Sequence, residues 1–304
     1  MTLDTDQSRL PRQTLSFLRN LLAERGIKPK GKLGQNFLID LNVLDLVVRT
    51  AELTHDDLVL EVGSGTGTLT SRLAQAAGAV VTVDVDPAFY LLTSELLLNQ
   101  LNVRPMQADA LRTKNEINPT IFTALDDQAR QFHCTHRKLV ANLPYVVATP
   151  VICNLLISPM PFDLMVVMVQ WEIAERMTAL PNTNAYSSLA VLMQSLADVT
   201  IIRRLAPTVF WPKPQVESAI IKIVPSAEKR VKVGDVAKFR AFLRDLYSHR
   251  RKNLRGALTG WPSGKREKPE VDRKLAEIGI DGSQRAETLD VKQHLRLCAA
   301  FEQS

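Results

Sequence analysis

The stretch Leu58–Thr70, LVLEVGSGTGTLT, decides how the rest of the chain is read. It opens with an apolar run of strand length, Leu58–Val62. It then places Gly63, Gly65 and Gly67 in a G-x-G-x-G turn and runs into a helical pattern near Leu69–Ala77. Glycines let a backbone turn tightly and approach a ligand with no Cβ in the way, and the following helix N-terminus adds a positive dipole end. The dinucleotide fingerprint is G-x-G-x-x-G, so this spacing turns the reading from NAD or FAD toward S-adenosylmethionine. Standing alone, the same turn also serves as a strand-to-helix connection with no ligand.

Further along, apolar strand-length runs alternate with helical patterns. Ala79–Val85 is a second strand, PAFYLLTSELLLNQL a helix with Pro87 in its first turn, and Val103–Ala108 a third strand. Lys138–Asn142 is a fourth strand, Pro150–Ile157 a helix, and Leu164–Gln170 a fifth strand that is apolar almost throughout. The alternation predicts an α/β fold with a mostly parallel, doubly wound sheet covered on both faces. Ala110–Arg137 fits poorly, because Asn115, Asn118, Pro119 and DDQARQ break any strand pattern, and it reads as an insertion with room for one short helix. After Glu217–Val224 the chain turns charged and then helical. This predicts a domain over 1–225, with an N-terminal extension over 1–50, followed by a small all-α domain over 226–304.

Three strand ends carry polar groups toward one crevice. Asp84 can accept both hydroxyls of a ribose bound over the glycine turn, and Asp109, after the third strand, can accept from an adenine amino group. Either acid, taken singly, also reads as a helix cap. The fourth strand ends in Asn142-Leu143-Pro144-Tyr145. An exocyclic adenine amine is a poor nucleophile because its lone pair is delocalised into the ring. If its N–H groups donate to the Asn142 side-chain oxygen and the Leu143 carbonyl, the nitrogen can pyramidalise and aim its lone pair at an electrophile. Pro144 stiffens that carbonyl, and Tyr145 offers a face for stacking. The leaving group is a neutral thioether, so no strong general base is needed. Read blandly, the tetrapeptide is a proline turn with a tyrosine over the core. Phe210, in FWPKP, either stacks on a flipped base opposite Tyr145 or anchors the core.

Composition agrees with a globular chain: 304 residues, 45% hydrophobic and 23% charged. The polar start MTLDTDQSRL lacks a signal-peptide core, and the apolar stretches are strand-sized or broken by charge. No membrane span, no export and a cytoplasmic location are expected. Three cysteines without a C-x-x-C pair argue against a disulfide framework, and HCTH at His133–His136 reads as a solvated loop, so no metal is expected. The net charge of +6 nudges toward a polyanion. Basic residues gather at Lys28, Lys30 and Lys32 and again at Arg250, Arg251, Lys252 and Arg255, where Arg251 and Arg255 share a face if the segment is helical. Such runs also occur as plain solvated faces.

The chain resembles the ribosomal RNA adenine N6-dimethyltransferases of the KsgA type, within the group that includes the erythromycin-resistance methylases. The resemblance rests on KLGQNFLID, LEVGSGTGTLT, DVDP, ADAL, VANLPYVVATP, VQWEIAERM, PTVFWPKPQVESAI, HRRKNLRGAL and RAETL, in that order from about Gly31 to Leu289. Leucine in Asn-Leu-Pro-Tyr is more like the housekeeping small-subunit enzymes than the resistance enzymes. The resemblance implies a Rossmann-like class I methyltransferase domain with a helical RNA-binding domain appended. It implies that Gln35, Asn36 and Leu38 contact S-adenosylmethionine from the N-terminal segment, alongside Gly63, Asp84, Asp109 and Asn142. The implied reaction is dimethylation of two adjacent adenosines in a hairpin loop near the 3′ end of 16S rRNA, in the assembling 30S subunit; a monomer is expected. Resistance-type methylation of 23S rRNA and an assembly-factor role with secondary methylation stand as alternatives. Departures from the family pattern are Ser64 in place of proline, Asp84 in place of glutamate, Ala108 in place of a frequent glycine, and the longer Ala110–Arg137 segment.

Overall fold

The computed structural model describes residues 15–249, 251–259 and 266–302. In chain order its elements begin with α1 (Leu15–Glu24), β1 (Phe37–Leu38), α2 (Leu41–Thr50), β2 (Asp57–Val62), α3 (Thr68–Ala76), β3 (Ala79–Asp84), α4 (Pro87–Leu96) and β4 (Val103–Gln107). There follow β5 (Leu111–Thr113), β6 (Glu116–Ile117), α5 (Pro119–Phe132), β7 (His136–Asn142), α6 (Tyr145–Ile157), β8 (Leu164–Gln170), α7 (Trp171–Thr178) and α8 (Ser188–Leu196). The chain continues through β9 (Ala197–Leu205), β10 (Phe210–Trp211) and β11 (Ser218–Pro225), then α9 (Ala227–Val233), α10 (Val236–Ser248), α11 (Leu254–Leu258), α12 (Lys268–Glu277) and α13 (Val291–Glu302).

A seven-stranded sheet runs β4-β3-β2-β7-β8-β11-β9. The pairs from β4 to β8 are parallel, and β11 joins β8 antiparallel, with Ser218 opposite Gln170 and Ile220 opposite Met168. All six residues of β2 and of β3 are buried, which is why these strands read as continuous apolar runs instead of alternating ones. On one face Val43, Leu44 and Val47 of α2 pack with Leu73 of α3 against Val59, Val80, Val140 and Val166. Each such side chain withdrawn from water contributes roughly 1.5–3 kcal/mol.

Two expectations are corrected. Ala110–Arg137 is no insertion: after the small β5–β6 hairpin it forms α5, fourteen residues that pack on β2 and β3 and carry the chain from β4 across to β7. Asn118 caps it by accepting from the Thr120 amide at 3.1 Å, Pro119 occupies the first turn, and Ile121, Ala124 and Leu125 are fully buried. The Asn-Pro that looked like a break is the helix start. The helix expected from Pro150 begins at Tyr145, directly after Pro144, with Pro150 inside it. Proline there removes only the bond to the Val146 carbonyl, on a residue that is 71% exposed.

By compactness the chain divides into two units, one comprising residues up to Trp171 with Ile201–Ile223, the other Glu172–Thr200 with residues from Val224 onward. The second unit therefore takes in α7 and α8 as well as the helices after Pro225. Within it, Tyr186 donates its hydroxyl to the Leu289 carbonyl at 2.9 Å, and Asn182 donates its amide to Glu287 at 3.0 Å. Among the described residues no helix is long and apolar enough to cross a membrane.

Candidate active site

The carboxyl ends of β2, β3, β4 and β7 open onto a cavity of about 270 Å³. Gly63, Gly65, Asp84, Asp109 and Asn142 all line it, joined by Gln35 and Asn36 from the N-terminal segment. The glycine turn is shaped by the protein as much as by any ligand. Gly63 has φ +88°, and a Cβ there would lie 3.2 Å from the Pro144 ring, so only glycine lets the β7 turn settle against the β2 turn. Gly65 has φ +52°, and a Cβ there would lie 3.1 Å from the Phe37 ring. Gly67 stands aside from the cavity lining and caps α3.

Asp84, 9% exposed, is held by three donors. The Ser64 hydroxyl at 3.2 Å and the Gly65 amide at 3.1 Å donate to Oδ2, and the Asp86 amide donates to Oδ1 at 2.9 Å. Burial pushes its pKa up, and these donors oppose that rise. Asp109 accepts from the Leu111 amide at 2.9 Å through Oδ1, while Asn118 donates to the Asp109 carbonyl at 3.1 Å. The hairpin beyond β4 thus steadies the acid.

Asn142 donates its side-chain nitrogen to the Asn36 carbonyl at 2.8 Å. With that nitrogen engaged, the side-chain oxygen is the atom suited to accept from a bound group. The Pro144 carbonyl is taken by the Val147 amide at 3.0 Å in the first turn of α6. Leu143 is 1% exposed, so its side chain anchors the turn in the core. Tyr145 lies outside the cavity lining, its hydroxyl 2.6 Å from Ser218 Oγ, and burial pushes its pKa up, so it stays neutral.

The N-terminal segment is tied across this crevice. Asp86, which caps α4, receives Lys30 Nζ at 2.9 Å and Gln35 Nε2 at 2.9 Å. Burial would raise the Asp86 pKa, but those donors outweigh it and hold the carboxyl below its ordinary value. Lys30, expected on RNA, is instead half of this ion pair. Leu38 pairs with Phe210 in the β1–β10 ribbon and reaches only a 40 Å³ pocket beneath the glycine turn. Phe210 itself is 3% exposed and packs in the core cluster of α2, α3 and the sheet, so its stacking role is withdrawn in favour of the anchor. Phe37, which the sequence reading did not single out, lines the crevice and packs at 5.1 Å from Phe89.

The remaining basic residues fall out unevenly. Lys28 is exposed, and Lys32 is exposed and lines the cavity mouth. Arg251 and Lys252 are exposed in the turn before α11, whereas Arg255 lies within α11 and pairs with Asp272 at 2.5 Å, so Arg251 and Arg255 share no helical face. Arg250 lies outside the described residues. Among the described residues no group of three or more His, Cys, Asp or Glu is placed to hold a metal ion, and His133 in HCTH is the left-handed cap of α5.

The residues present suit a nucleoside donor: a glycine turn at a helix start, a fixed carboxylate for a diol, a second acid at the next strand end, and largely apolar walls such as Val62 and Val83. Comparison with known proteins agrees. The family model described as ribosomal RNA adenine dimethylase matches residues 26–303. The chain is 37% identical to ribosomal RNA small subunit methyltransferase A of Geobacillus kaustophilus, over 93% of this chain and 94% of that protein. Its identity to the protein of that name from Pelotomaculum thermopropionicum is 36%, over 94% and 96%. The fold superposes on a dimethyladenosine transferase from Plasmodium falciparum with a TM-score of 0.71 at 25% identity, covering 87% of this chain and 96% of that one. It superposes on the 23S rRNA methyltransferase ErmE with a TM-score of 0.63 at 23% identity, covering 88% and 100%, a likeness of fold. With its crevice and nearly its whole length accounted for in this way, the chain belongs to the ribosomal RNA adenine dimethylase family.

Proposed function

We propose that the protein transfers methyl groups from S-adenosylmethionine to N6 of two adjacent adenosines in a hairpin loop near the 3′ end of 16S rRNA, in the assembling 30S subunit. The observation that carries the reading is Asn142, whose nitrogen is held by the Asn36 carbonyl at 2.8 Å on the wall of the crevice that also contains Asp84 and Asp109. Bound there, S-adenosylmethionine supplies an electrophilic methyl on a sulfonium that departs as a neutral thioether. Asp84 accepts from a ribose hydroxyl through Oδ1, Asp109 from the adenine amine of the donor, and Gly63, Gly65, Gln35 and Asn36 wall the rest. In the first transfer Asn142 Oδ1 and the Leu143 carbonyl accept the two N–H groups of the target amine, in the second the one that remains, which frees its lone pair for attack and favours the transition state; the proton displaced by each methyl passes to solvent. Pro144 stiffens this turn, and the Tyr145 ring, anchored through Ser218, offers the stacking face for a base turned out of its loop.

Lys28, Lys32, Arg251 and Lys252 are proposed as phosphate contacts, those after Pro225 within a helical RNA-binding part over 226–304. The names of the relatives, which specify the small subunit, favour this substrate over 23S rRNA. A monomer working in the cytoplasm completes the reading. The test is incorporation of labelled methyl groups into immature small subunits, with the products mapped by mass spectrometry. Two adjacent N6,N6-dimethyladenosines are expected, with Asn142→Ala reducing the rate at least about a hundredfold. Full activity in that variant, or modification of large subunits instead, overturns the reading.

A further inference from the structure

Asp84 is a short side chain asked to face a ligand from the end of β3, and the three contacts that fix it are unequal. A carboxylate only accepts, so Ser64 must be the donor across the 3.2 Å to Oδ2. That leaves the Ser64 oxygen able to accept in turn. Thr93, on α4 and fully buried, stands 3.2 Å from Ser64 Oγ and 3.1 Å from the Gly65 carbonyl, so its one proton is shared between the two ends of the same dipeptide. The direction is therefore set from helix to loop to strand end. Two donors occupy Asp84 Oδ2 and one occupies Oδ1, so Oδ1 keeps the spare acceptor position.

We propose that Thr93 and Ser64 form a hydroxyl relay that positions the Asp84 carboxylate, leaving one acceptor position on Oδ1 for a ribose hydroxyl of the bound donor. The inference rests on the donor-site reading given above. It separates the relay from packing, because the Thr93 methyl has its own place, 3.6 Å from where a Cβ on Gly67 would lie. Thr93→Val keeps that shape and removes the proton.

The experiment is calorimetric titration of S-adenosylhomocysteine into the full chain across pH. Ser64→Ala is expected to weaken binding about tenfold, as for a lost hydrogen bond to a charged group. Thr93→Val weakens it less, and Thr93→Ser retains wild-type affinity. Without the Ser64 proton the ionised Asp84 loses support, so affinity falls away on acidification at a higher pH than in the wild type. The other titratable groups facing Asp84 are Glu61 on β2, Asp109 after β4, and Asp86 with its partner Lys30, and all are unchanged in these variants. Should Ser64→Ala fold poorly, the Thr93→Val and Thr93→Ser pair carries the decision. If Ser64→Ala and Thr93→Val bind within twofold of wild type with an unshifted acid limb while Asp84→Asn binds weakly, the relay is wrong and the donor site stands. If Asp84→Asn binds as tightly as wild type, the donor-site reading fails, and the relay with it.

Discussion

In the sheet unit, Glu61 of β2 is buried under the glycine turn with the hydroxyls of Thr70 and Thr82 both donating to its Oε2 at 2.6 Å. In the helical unit, His294 of α13 is buried between Tyr247, whose ring stacks at 5.9 Å, and the Asp290 carbonyl 2.8 Å from Nδ1. Burial suppresses charge on both, pushing the Glu61 pKa up to about 8 and the His294 pKa down to about 4. Their surroundings differ. Glu61 borders a small pocket shared with Ser64 and Asn142, next to the larger crevice, whereas His294, among the described residues, bonds within a knot that ties α13 to α10 through Tyr247. A perturbed pKa marks a site only where other polar groups converge on a cavity; elsewhere it marks a staple.

This contrast breaks most readily through pH. Glu61 is favoured protonated in the fold, so its stabilising contribution is complete below its ordinary pKa of 4.5 and is lost as pH rises through about 8. The full difference is about 5 kcal/mol, and Glu61→Gln is expected to flatten the alkaline fall in denaturant-measured stability. An unchanged slope in that variant would show that Glu61 is ionised in the fold. His294 works in the other direction. Its neutral form is favoured, so its contribution is complete above pH 6.5 and declines by about 3 kcal/mol as pH falls toward 4. Selective loss of helical-unit amide protection near pH 5, absent in His294→Gln, is the expected observation in hydrogen exchange.

Next in size is the Gly63–Pro144 contact. Gly63→Ala places a methyl against the proline ring at a backbone angle alanine resists, which shifts the Asn142 turn and is expected to lower methyl transfer about a hundredfold. The reaction rate under saturating donor and RNA measures it. Smallest is the separation of paired from exposed cations. Lys252→Ala should reduce the dependence of log affinity on log salt by about one for RNA binding, while Lys30→Ala, whose charge already faces Asp86, should leave that slope unaltered.

The contrast also explains what could be read in advance. The strand cores, the glycine turn, Asp84, Asp109 and Asn142 were legible because each is announced by local pattern at the end of an apolar run. The crossover helix α5 was read as a short helix in an insertion because Asn118-Pro119 served as cap and first turn where it looked like an interruption, although Ile121, Ala124, Leu125 and Gln128 already formed one buried stripe. Phe210 was ambiguous because an aromatic in a proline-rich loop carries no sign of which side it faces. The Lys30–Asp86 pair joins residues 56 positions apart, and no local signal foretells it. Ser64 and Asp84 were noted separately as departures from the family pattern, and only the folded chain brings them into contact.

The account turns on two oxygens, Asn142 Oδ1 and the Leu143 carbonyl, meeting the amine of a target adenosine. A crystal structure of the chain with S-adenosylhomocysteine and an adenosine-containing RNA hairpin measures this directly. Both oxygens are expected within about 3.2 Å of adenine N6, with the nucleoside of the donor on Asp84. An Asn142 amide turned away from the base, or a donor seated at another edge of the sheet, would contradict it.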